Sequence, residues 1–145
     1  MHQAVLLLHS WVRWIAILSG LLAVAAVLRA RDGRASANNG MARVFTVALD
    51  VQFLLGLALL FTLNLFGDIG ATMRSPLARF YAIEHPTMMI AAVAFAHMGK
   101  VFARKALTPA SARVRALVCY GLALLLLVVG TPWPGTRDHR PLFRL

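Results

Sequence analysis

Cysteine, acidic side chains and recognisable soluble catalytic motifs are all scarce in this chain. A single cysteine, Cys119, rules out an intramolecular disulfide; inside an apolar stretch it reads as a small buried apolar residue. Acidic residues number 5 against 15 Lys and Arg. No phosphate-cradling glycine loop is present, and no Cys-x-x-Cys or Met-x-x-Met ligand set. Ser10 and Ser19 lack a base and an acid grouped with them by spacing, which leaves classical nucleophilic hydrolysis without a residue set. No positively charged segment precedes the first apolar run, and no short apolar core ends in a small-residue cleavage site, so no removable signal peptide is expected. Internal repeats are absent as well.

What is present is apolar. Hydrophobic residues make up 60% of the 145 and the mean hydropathy is +0.73, beyond the apolar share of about half in ordinary soluble domains. Four stretches of roughly 20 residues or more, each sufficient for a hydrocarbon core about 30 Å thick, lie at about 4–28, 44–66, 78–101 and 114–133. They use most of the chain. The reading is an all-α integral membrane four-helix bundle in one domain, with no room for a soluble catalytic module.

A net charge of +10 in a soluble protein would suggest nucleic acid, but the placement of the cations says otherwise. Arg29, Arg31, Arg34 and Arg43 fall between the first two spans, and Lys100, Arg104, Lys105, Arg113 and Arg115 between the last two. By the positive-inside rule both connections face the cytoplasm, both termini lie on the outer side, and the partner is the lipid bilayer rather than nucleic acid. The membrane is read as the cytoplasmic one.

Ionisable groups inside such spans are costly and point to function. At 100° per residue, His2, Arg13, Ala16, Gly20 and Ala23 fall within about 40° of His9, and Ala78, Tyr81, Met89, Ala92, Ala96 and Gly99 within about 40° of His85. Each histidine thus heads a lane of mostly small residues that lets another helix or a flat macrocycle approach. Both lie roughly 9 to 11 Å below the outer surface on inward-running spans. Two imidazoles at one depth on neighbouring helices can take both axial positions of a haem iron. Arg13, one turn inward from His9, can then meet a propionate or Glu84. Pro86 kinks its helix and can re-aim the His85 ring.

In the second span Thr46, Asp50 and Asn64 share one face and Gln52 and Gly56 another. Asp50 and His97 stand at similar cytoplasmic depth and can pair, as a proton path or as a buried polar contact. No second haem is expected, because the first span has no histidine at the depth of His97. Copper competes as cofactor, since Met88, Met89 and Met98 accompany the histidines and thioethers suit Cu(I), although methionine is also an ordinary filler of apolar helices.

Leu8-His9-Ser10-Trp11-Val12-Arg13-Trp14, Asp50-Val51-Gln52-Phe53-Leu54-Leu55-Gly56, Arg79-Phe80-Tyr81-Ala82-Ile83-Glu84-His85-Pro86 and Pro132-Trp133-Pro134 together resemble a family of small four-helix bacterial membrane proteins commonly labelled cytochrome b-like. The resemblance spans nearly the whole chain and implies b-type haem and electron transfer. The combined expectation is a haem b protein carrying single electrons near the outer face, with His9 and His85 as ligands, Arg13 and Glu84 around them, and quinone or a redox protein as partner. The alternatives are a non-catalytic accessory subunit of a respiratory or photosynthetic complex, whose polar groups only fix helix packing, and a small transporter or metal-handling protein.

Overall fold

The computed structural model describes residues 2–30, 39–63 and 65–135. Its helices are α1 (His2–Arg29), α2 (Gly40–Thr62), a short α3 (Ile69–Arg74), α4 (Pro76–Arg104) and α5 (Pro109–Gly130). The four long ones are each long and apolar enough to cross a membrane. Large apolar side chains such as Leu18, Val47, Leu54, Phe61 and Leu125 line the outside of the bundle, where a soluble protein would carry polar ones. The chain is an all-α integral membrane protein.

Local chemistry sets the helix ends. Asn39 caps α2 by accepting from the Ala42 amide at 2.8 Å, so this helix begins four residues before the expected start at 44 and ends at Thr62 instead of near 66. Ser75 caps α4 ahead of Pro76, its Oγ accepting from the Ala78 amide at 3.3 Å, as Ser75-Pro76 suggests. At the start of α5, Thr108 and Ser111 form a reciprocal capping box ahead of the apolar run. That helix stops at Gly130, where the Thr131-Pro132-Trp133-Pro134 sequence cannot continue it.

Short connections make two antiparallel hairpins. α1 packs closely along α2 and α4 along α5, and the hairpins meet through α1 against α5 and, more sparingly, α2 against α4. In this square α1 and α4 sit on a diagonal, not side by side as the depth argument supposes. The reason is connectivity: consecutive antiparallel helices become neighbours, which leaves the first and third across the centre.

The two halves of the bundle differ in how tightly they close. Toward the cationic end, Phe45 and Tyr120 meet edge to face with centroids 6.4 Å apart, among fully buried Ala16, Ala23, Ala96, Ala112, Ala116 and Ala123. A Cβ on Gly20 would lie 2.8 Å from the Phe45 ring and one on Gly99 2.8 Å from the Tyr120 ring, so these glycines permit the approach. Arg113 donates to the Leu28 carbonyl there, one of the carbonyls that the end of α1 leaves without an intrahelical partner. Toward the opposite end the hairpins part around a cavity. His2 bonds Thr62 at 2.8 Å, and Trp14 packs against Trp133 with centroids 6.1 Å apart. Of the residues with expected roles, Arg31, Arg34, Asn64 and the tail from 136 onward lie outside the described residues.

Candidate functional site

The cavity between the hairpins has a volume of about 300 Å³. Apolar side chains such as Leu6, Phe53, Leu60, Ile90 and Leu127 form most of its wall, and His2, His9, Arg13, Gln52, Tyr81 and His85 supply the polar part. A mainly apolar cavity with a few convergent polar groups is the usual form of a small-molecule or cofactor site.

His85 is placed by two departures from regular helix. Residues Phe80–Glu84 form a π-helical turn, and the His85 amide donates to the Phe80 carbonyl, five residues back. Pro86, directly after, has no amide to give and crowds the carbonyl of Ala82. A wider turn relieves this and is a recurrent feature of functional sites. The ring is then held from α5: His85 Nδ1 lies 2.7 Å from the Gly130 carbonyl oxygen. A carbonyl can only accept, so Nδ1 carries the proton and Nε2 keeps its lone pair. That carbonyl is available because it belongs to the last turn of α5 and because residue 134, which would otherwise bond it, is a proline.

His9 enters from α1 on the far side of the diagonal. Its ring lies against α2 where Gly56 has no side chain; a Cβ there would come within 3.2 Å of Cε1 and 3.8 Å of Nδ1. The Gln52 backbone carbonyl interacts with the same ring, yet Nδ1 makes no hydrogen bond of ordinary geometry, and neither does the buried Gln52 side-chain oxygen. The His9 and His85 ring centroids are 6.2 Å apart, with planes inclined at 71°. Phe80 closes on the other side of His85, 5.8 Å between centroids.

Arg13 also lines the cavity, and its guanidinium lies 5.3 Å from the centre of the Trp14 ring, a cation–π contact that eases burial of the charge. Glu84 forms an ion pair with Arg79 at 3.0 Å, on the short stretch leading into the π turn, and is not among the cavity-lining residues. Met89 lines the cavity, while Met88 packs near Gly130. Among the described residues no three His, Cys, Asp or Glu side chains are grouped to hold a metal ion.

Asp50 and His97 come together away from this cavity, with His97 Nε2 at 2.9 Å from Asp50 Oδ1. Their side chains remain 41% and 55% exposed. The pair faces a separate groove between α2 and α4 and is not buried in the bundle, because both residues lie on the outer edge of the helices that meet least closely.

Two elements of the site are not assigned by sequence reasoning. Gln52 and Gly56 are placed on a face apart from Asp50, and their spacing of four is the signal that this face meets another helix. The Gly130 carbonyl is a backbone group and leaves no mark in residue identity. No family model matches the chain, and no curated protein or solved structure matches it either.

Proposed function

We propose that this is a membrane b-type haem protein in which His9 and His85 would hold the haem iron, carrying single electrons near the outer face of a bacterial cytoplasmic membrane. The observation that carries the reading is the separation of the two rings. At 6.2 Å between centroids the two imidazoles are close enough that both could bind one metal ion at about 2 Å each. The donor chemistry is compatible too. His85 commits Nδ1 to a backbone carbonyl and retains Nε2, the pattern by which ligating histidines are oriented. Gly56 gives His9 room to lie against α2, and the two small-residue lanes lead away from the rings.

Bound haem would supply one-electron chemistry at its iron. The chain's own part is to hold both imidazoles, surround them with an apolar wall that excludes water, and offer the Arg13 charge to an anionic group such as a carboxylate. The Arg79–Glu84 pair fastens the turn that aims His85. By the positive-inside rule, the concentration of cations at the other end supports a cytoplasmic position for that end and an outer position for the cavity. A quinone or an external redox protein is then the natural electron partner. The resemblance to cytochrome b-like proteins agrees with this reading.

The purified protein in detergent, supplemented with haem, should give reduced-minus-oxidised absorption bands at b-type positions. His9→Ala and His85→Ala should each abolish them, and His97→Ala should retain them. If the wild-type protein shows no such bands after supplementation, the haem reading fails and an accessory role within a larger complex becomes the better one.

A further inference from the structure

We infer that the groove between α2 and α4 at the cationic end is a binding site for the phosphate of an anionic phospholipid. The groove has a volume of about 490 Å³, and Arg43 from α2 and Lys100 and Arg104 from α4 all line it. None of the three forms an ion pair with another described residue; the carboxylate within the groove, Asp50, is engaged by His97. Three cations facing one concavity repel each other unless an anion stands between them. Arg43 lies in the first turn of α2, where the positive end of the helix dipole adds to the same demand.

Depth selects a lipid headgroup. Arg104 is the last residue of α4 and Lys100 lies about 6 Å further in, so both charges sit at the level where a span of this length meets the headgroups. Long basic side chains commonly reach that level from just inside a membrane. One turn in from Arg43 and Lys100 the groove wall carries Val47 and Ala96, and Val47 is 60% exposed. A ligand that suits both levels carries a phosphate and an acyl chain. Asp50–His97 closes the inner end of the groove, where a hydrogen-bonded carboxylate tolerates hydrocarbon better than a lone one would.

The two lysines of the chain, Lys100 and Lys105, allow a test on the unaltered protein. Lys100 lines the groove, whereas Lys105 is exposed beyond the end of α4 and outside it. The full chain is reconstituted in nanodiscs of phosphatidylcholine alone or with phosphatidylglycerol, treated with an amine-acylating reagent, and read by peptide mass spectrometry. Phosphatidylglycerol should slow acylation of Lys100 at least fivefold relative to Lys105, and inorganic phosphate at millimolar concentration in phosphatidylcholine discs should not. Equal slowing of both lysines would mean diffuse surface charge and would overturn the site. Equal protection by inorganic phosphate would overturn the lipid assignment.

Variants give a second reading by native mass spectrometry of lipid adducts. Arg43→Gln/Lys100→Gln/Arg104→Gln should reduce the preference for phosphatidylglycerol over phosphatidylcholine about tenfold. Arg29→Gln/Lys105→Gln/Arg115→Gln, which removes the same charge outside the groove, should leave it unchanged. A groove variant that keeps the wild-type preference refutes the proposal.

Discussion

His85 and Gly130, 45 residues apart in sequence, are joined by a 2.7 Å hydrogen bond from the imidazole Nδ1 to the backbone carbonyl. The bond ties the kinked start of α4 to the end of α5 and fixes which ring nitrogen keeps a lone pair. Its acceptor is free because two prolines follow the helix end. An imidazole held in this way at one edge of an apolar cavity is prepared to accept a ligand with little further ordering.

Pro86→Ala restores an amide that can bond the Ala82 carbonyl and lets the π turn relax toward regular helix. Such a change rotates the ring of the preceding residue away from Gly130. Helix content by circular dichroism should be unchanged or slightly higher. Haem occupancy, measured as absorbance per protein, should fall severalfold; equal occupancy would show that the turn is not what aims His85.

Gly56→Ala places a methyl group 3.2 Å from His9 Cε1, tighter than ordinary van der Waals contact, so the ring must yield by a few tenths of an ångström. The variant should fold with a melting temperature near that of the parent and bind haem more weakly, and Gly56→Val should exaggerate the loss. Gly121→Ala, where an added Cβ meets nothing within 4 Å, is the matched control and should bind normally.

Gly99→Ala directs a methyl group to 2.8 Å from the Tyr120 ring, which is fully buried against Phe45. A large ring so confined has no space to retreat, and overpacking of this kind costs about 1 to 3 kcal/mol. Thermal unfolding in detergent should show a clear drop in Tm. Gly121→Ala should instead be neutral or more stable, by up to about 1 kcal/mol from helix propensity.

Asp50→Asn and His97→Ala, combined in a double-mutant cycle, measure the pair at 2.9 Å. With both side chains partly exposed, the coupling should be about 0.6 kcal/mol and no more than roughly 2 kcal/mol, the range found for polar contacts between membrane helices. A much larger value would mean that the pair is enclosed in the membrane by something outside this bundle.

Much of the architecture was legible in the residues. Span number and the segregation of cations follow from composition along the chain, and the 3.6-residue period correctly put His9 with Arg13, Ala16, Gly20 and Ala23 and placed Gln52 and Gly56 on a face of their own. Helix ends shifted by a few residues because capping side chains such as Asn39, not hydropathy, decide where amides find partners. The diagonal relation of α1 to α4 was hidden because hydropathy says which residues avoid water but not which helix each one meets.

The amino-acid sequence by itself determined that four helices would cross a bilayer, because a hydrocarbon core leaves few other ways to satisfy that many backbone groups, and that two histidines would share one depth, because helical rise is constant. Tertiary structure alone decided that their rings would stand 6.2 Å apart across a cavity. It also gave the Gly130 carbonyl to His85. Those outcomes depend on how α4 packs along α5 and how the two hairpins close on each other, which is set by the fit of glycines, alanines and aromatic rings from all four helices together.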